Sequence, residues 1–77
     1  MSKFIKVLAA SGSVRDCTVG KLYHVEQEMD AGETYVFNGE RRTAPVPGFV
    51  ITDDVGDSVA LRAAGDPDAH AWKLVTE

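Results

Sequence analysis

The chain has 77 residues, of which 44% are hydrophobic and 26% charged, and its eight Lys and Arg against twelve Asp and Glu give a formal net charge of -4. That length holds one domain, residues 1–77, with little chain left to build a catalytic framework beside a core. The single cysteine excludes an internal disulfide, the apolar content excludes a disordered chain, and the acidic balance argues against a generic phosphate binder.

The first strand is predicted at Lys3–Ala9, with Ile5, Val7 and Ala9 on one face and Phe4, Lys6 and Leu8 on the other. Its apolar part, Val7–Ala10, is too short for the ~7–15-residue apolar region of a secretory signal, and no run approaches the ~18 residues of a membrane span. An intracellular, cytoplasmic protein without membrane contact is therefore expected. Ser11–Thr18 reads as irregular. Leu22–Glu26 is a second strand, with Tyr23 and Val25 facing the core. Asp30-Ala31-Gly32 is a turn, Thr34–Phe37 a third strand, and Asn38-Gly39 the turn that ends it. Glu40–Gly48 is the most loop-like segment, since Pro45 and Pro47 cannot donate to a ladder. Phe49–Thr52 and Ser58–Arg62 form a hairpin around Asp53–Asp57, with Val59 and Leu61 inward. Asp66-Pro67-Asp68 is suited to one helical turn with Pro67 in its first position. Trp72–Thr76 is the last strand.

Five or six short strands at roughly ten-residue spacing with almost no helix predict an all-β fold. A small SH3-like barrel, with at most one short helical turn before the last strand, is the economical closure at this length.

Three segments carry a resemblance. Thr18-Val19-Gly20-Lys21-Leu22-Tyr23-His24-Val25 reads T-V-G-K-x-Y-x-V, Ile51–Asp57 reads I-x-D-D-x-G-D, and Trp72-Lys73-Leu74-Val75 closes the chain. In that order they resemble small phage and prophage proteins of SH3-like barrel type, mostly without an assigned function. The resemblance spans nearly the whole chain, and none of its motifs is catalytic. It departs from the group in the Asn38–Gly48 insert and in the longer Ala63–Ala71 connection, where a function particular to this chain is expected.

Candidate chemistry is sparse. Cys17, His24 and His70 are too few and too far apart for a four-ligand zinc site, so no metal or other cofactor is expected. A Cys17–His nucleophile pair has no supporting motif. Asp53, Asp54 and Asp57 lack the spacing of a calcium loop and read as turn-formers. No phosphate-binding glycine pattern occurs. The Arg41-Arg42 pair is read either as a solvated hairpin tip or as an interface element, because arginine and aromatic residues anchor interfaces. Tyr35, Phe37, Arg41, Arg42 and Trp72 are accordingly the candidate partner-binding residues, with Trp72 expected to be at least half buried.

The expectation is a non-enzymatic, phage-type accessory protein that binds a protein partner and modulates a host defence or transcription component. The negative charge suits a basic, nucleic-acid-handling host protein. The alternatives are a nucleic-acid-binding barrel, with Arg15, Arg41, Arg42 and Lys73 converging, and a virion or assembly protein. The expected state is a monomer or a weak dimer.

Overall fold

Eight strands and two isolated 3-10 turns make up the regular backbone of residues 2–77, the part that the computed structural model describes. The strands are β1 (Lys3–Val7), β2 (Leu22–His24), β3 (Gln27–Met29), β4 (Thr34–Phe37), β5 (Glu40–Thr43), β6 (Gly48–Thr52), β7 (Ser58–Arg62) and β8 (Trp72–Thr76). The 3-10 turns are Gly12–Val14 and Ala69–Ala71. All pairings are antiparallel, in three sheets ordered β2-β1-β8, β3-β6-β7 and β4-β5. The fold is all-β. The strand count is eight rather than five or six, and hydrogen-bonded pairing does not close the sheets into one ring.

Alternation explains the main core. Ile5 and Val7 of β1, Tyr23 of β2, Phe49 and Ile51 of β6, Val59 and Leu61 of β7 and Trp72 of β8 are all buried in one cluster between the two three-stranded sheets. Val14 and Cys17 from the first loop join it, as do Val25 and Ala71. Strand β6 is buried on both faces, because Val50 turns away from this cluster and packs with Met29, Ala44 and Tyr35. That double burial is why Phe49-Val50-Ile51 is continuously apolar. Gly48 permits the close approach of β6 to β7: a methyl group there would lie 2.4 Å from the Leu61 carbonyl oxygen.

Three sequence expectations are corrected. The predicted strand Leu22–Glu26 ends at His24, and Val25-Glu26 is a corner that leads into a further strand, Gln27–Met29. The Val25 amide bonds Lys3 O at 3.1 Å and the Glu26 amide bonds Val50 O at 2.9 Å, so the chain leaves one sheet and joins the next within two residues. The segment Glu40–Gly48 is a loop only from Ala44 to Pro47, and Glu40–Thr43 is β5. Asn38-Gly39 forces the reversal, with φ of 49° and 79°, the pair of positive values that a two-residue hairpin turn requires. Finally, a helical turn is present in the first loop as well, and the second one begins at Ala69 with Asp68 before it, not at Pro67.

The loops are held by aspartates. Asp53 Oδ1 accepts from the amides of Val55 at 3.1 Å and Asp57 at 2.8 Å, which closes the β6–β7 turn. Asp68 Oδ2 accepts from the Ser13 amide at 3.1 Å and its hydroxyl at 3.0 Å, joining the first loop to the last. Gly12 is needed at this junction: its φ is +55°, and a Cβ would meet the Asp68 carboxylate.

Candidate protein-binding surface

The β4–β5 hairpin gathers four of the five predicted partner-binding residues. Cross-strand pairing sets Tyr35 against Arg42 and Phe37 against Glu40 on one face, and Val36 against Arg41 on the other. The first face leans on the body of the protein and leaves Tyr35 and Phe37 half-buried. The Arg42 guanidinium sits 4.7 Å from the Phe37 ring centroid and reaches Glu40 at 3.2 Å. The second face is open, with Val36 50% exposed and Arg41 exposed beside it.

The hairpin is secured mainly by polar contacts. The Gln27 side chain acts as a strand partner for Val36, donating to its carbonyl at 2.7 Å and accepting from its amide at 3.1 Å. At the tip, Asn38 Oδ1 accepts from the Ser58 amide at 3.1 Å, and at the base Ala44 and Gly32–Glu33 exchange backbone bonds. Trp72 is placed elsewhere. It is 8% exposed and packs edge-to-face on Phe49 with centroids 6.3 Å apart, so its ring belongs to the core.

Beside the hairpin tip lies an open cleft of about 620 Å³. Phe37 forms part of its wall, and its charged lining is Arg15, Asp16, Asp53, Asp57 and Asp68. Four carboxylates thus face one guanidinium. Asp53 and Asp68 are engaged in their loops, as described above. Asp16 and Asp57 have side chains with no hydrogen-bond partner among the described residues. The sequence reading did not anticipate this cleft, because its acids arrive from the first loop, the β6–β7 turn and the β7–β8 connection. Four turn-forming aspartates carry no signal that they will meet.

The two motifs of the resemblance also meet. Asp54 accepts from Thr18 Oγ1 at 2.6 Å, Tyr23 Oη at 2.8 Å and Lys21 Nζ at 3.1 Å, while the Thr18 amide donates to Tyr23 Oη at 2.7 Å. The hydrogen bonds from Thr18, Tyr23 and Lys21 hold the Asp54 carboxyl below its ordinary range. The bond to Asp54 raises the Lys21 ammonium, and burial raises the Tyr23 phenol. Cys17 is buried next to this network, and burial, with the nearby Asp53 and Asp54 charges, pushes its thiol up. A thiol held protonated is a poor nucleophile. Cys17 packs in the core, while His24 and His70 are both exposed. Among the described residues no three His, Cys, Asp or Glu side chains are grouped to hold a metal ion.

The four basic residues proposed to converge come from three parts of the chain. Arg15 borders the cleft, Arg41 and Arg42 lie on β5, and Lys73 lies on β8 in the other sheet. No family model, curated protein or solved structure matches this chain.

Proposed function

We infer that the protein is a non-enzymatic binding module that docks a basic protein segment in the cleft beside the β4–β5 hairpin. The cleft carries this reading. It is concave, it has an aromatic wall at Phe37, and two of its carboxylates, Asp16 and Asp57, are uncommitted. A lysine or arginine entering it meets opposite charge and a ring face. Arg42 already occupies one such position on Phe37 from within the chain. The net charge of -4 extends the same preference to the whole surface and speeds encounter with a basic partner.

Two three-stranded antiparallel sheets around one core support reading the fold as a small SH3-like barrel with the β4–β5 hairpin added. On that reading, and on the resemblance of its motifs to those of small phage proteins, the partner is a basic host protein such as a nucleic-acid-handling or defence component. The buried Cys17 thiol supports a role without covalent chemistry.

The test is titration of a fluorescein-labelled lysine- and arginine-rich peptide, read by anisotropy. The wild type is expected to bind, and D16K/D57K to weaken binding by at least about tenfold through charge reversal. Equal binding by the two proteins would sink the proposal. Because neither carboxylate has a structural partner, the variant is expected to melt like the wild type.

A further inference from the structure

The outer face of the β2-β1-β8 sheet points away from the core and has a different chemistry from the cleft. Register sets two rows across its three strands. One row is His24, Phe4 and Val75; the next is Leu22, Lys6 and Lys73. Phe4 and His24 pack edge-to-face with centroids 5.7 Å apart, and neither is buried. Lys6 and Lys73 stand directly opposite each other on neighbouring strands, which places their Cβ atoms about 5 Å apart. Like charges in that position destabilise a sheet. Among the described residues neither lysine has an ion-pair partner, whereas Lys3 pairs with Glu28 and Lys21 with Asp54. The nearest acid in register is Glu77, whose backbone pairs with Ser2 beyond the aromatic row.

We propose that this face is a binding platform for single-stranded nucleic acid, with Phe4 and His24 stacking on bases and Lys6 and Lys73 contacting phosphates. Charge complementarity selects an anion. An uncompensated lysine pair on an acidic protein is relieved by a phosphate between its two ammonium groups. The exposed edge-to-face pair of Phe4 and His24 favours bases over a peptide, and both the cleft and the smaller depression at Tyr35 and Ala44 lie elsewhere on the molecule. A three-stranded antiparallel surface with an aromatic ring on its central strand suits stacking, which tolerates any base sequence. A second copy related by a two-fold axis through the lysine pair is disfavoured, because it would set lysine against lysine.

Anisotropy of a labelled oligo(dT) of about twelve nucleotides tests the proposal at about 20 mM and about 150 mM salt. The wild type is expected to bind at the lower salt, with a log–log salt slope near -1.4, for about two phosphate contacts at ~0.7 each. K6E/K73E is expected to lose at least about tenfold in affinity, and F4L about fivefold, through lost stacking. K6Q/K73Q gives the same reading if charge reversal disturbs the fold, which circular dichroism reports. D16K/D57K is expected to bind the oligonucleotide at least as well as the wild type, which separates this face from the cleft. The proposal is overturned by no binding at the lower salt, by undiminished binding of the folded lysine variants, or by tighter binding of a poly-glutamate peptide than of oligo(dT).

Discussion

Strands β5 and β7 differ by one residue in length, yet they are held by different physics. β7 alternates, burying Val59 and Leu61 against β6, whereas every residue of β5 is exposed. Core strands owe their place to apolar area removed from water. The β4–β5 hairpin owes its shape to the Asn38-Gly39 turn and its position to polar ties, chiefly Gln27 and Asn38. A two-stranded hairpin is marginal by itself in water. The hairpin is therefore expected to open locally while the rest stays folded. Its tip also borders the cleft.

The largest expected effect tests the core side of this contrast. Leu61 is 1% exposed, so Leu61→Ala should cost roughly 2–5 kcal/mol through lost transfer energy and the cavity left behind. Val36→Ala, on the open face of the hairpin, should change stability by less than about 0.5 kcal/mol. Urea unfolding of both variants measures this. Similar midpoints would mean that the two regions are not distinct in energy.

The next test aims at the tie itself. Gln27→Ala removes both bonds to Val36 and should cost about 1–3 kcal/mol, at roughly 0.5–1.5 kcal/mol per bond. Its signature is local. Hydrogen exchange at the β4 and β5 amides should quicken, while β1 and β6 amides keep the protection of global unfolding. A uniform rise across the chain would show that hairpin and core open together.

The Asp54 network makes a prediction in pH. The folded-state pKa of Asp54 is lowered, so its contribution is present above the ordinary carboxylate value of 3.8 and is lost as pH falls through the folded value. Tyr23 and Lys21 are shifted up, so their contributions hold at neutral pH and fade above 10.0 and 10.5, respectively. Melting temperatures across pH should fall at both ends for the wild type. Asp54→Asn should flatten the acid limb and remove the Lys21 part of the basic limb, leaving the part that burial of Tyr23 supplies. An unchanged acid limb would remove Asp54 from the account.

How much of this was legible in the sequence follows from the same division. Strands whose burial alternates were readable: Tyr23, Val25, Val59 and Leu61 all face inward as their spacing required. So was β4, which ends at a turn dipeptide of specific backbone chemistry. β5 was hidden, because Glu40-Arg41-Arg42-Thr43 buries nothing and therefore shows no period. β3 was hidden because Gln27-Glu28-Met29 has no β-branched residue and only Met29 is buried. Adjacent aspartates show the limit most sharply. Asp53 bonds amides two and four residues ahead, which local turn chemistry anticipates, while Asp54 reaches Thr18, 36 positions away. Nothing local separates the two. The cleft was illegible for that reason: its four acids are placed by loops that only the folded sheets bring together.

The smallest expected effect separates the two arginines that the sequence presents as a pair. Arg42 stands over Phe37 and against Glu40, whereas Arg41 lies on the opposite face with no ion-pair partner among the described residues. An exposed cation–π contact contributes about 0.5–1 kcal/mol and an exposed ion pair about as little. Arg42→Ala should therefore lower stability by up to about 1 kcal/mol, while Arg41→Ala should leave it unchanged within about 0.5 kcal/mol. Raising salt should shrink the Arg42 effect only partly, because screening weakens the ion pair to Glu40 and leaves the packing of the side chain on the ring. If the two substitutions cost the same at every salt concentration, Arg42 does not hold Phe37. The aromatic wall of the cleft is then positioned by the Asn38–Ser58 contact at the tip, and N38A becomes the variant that displaces it.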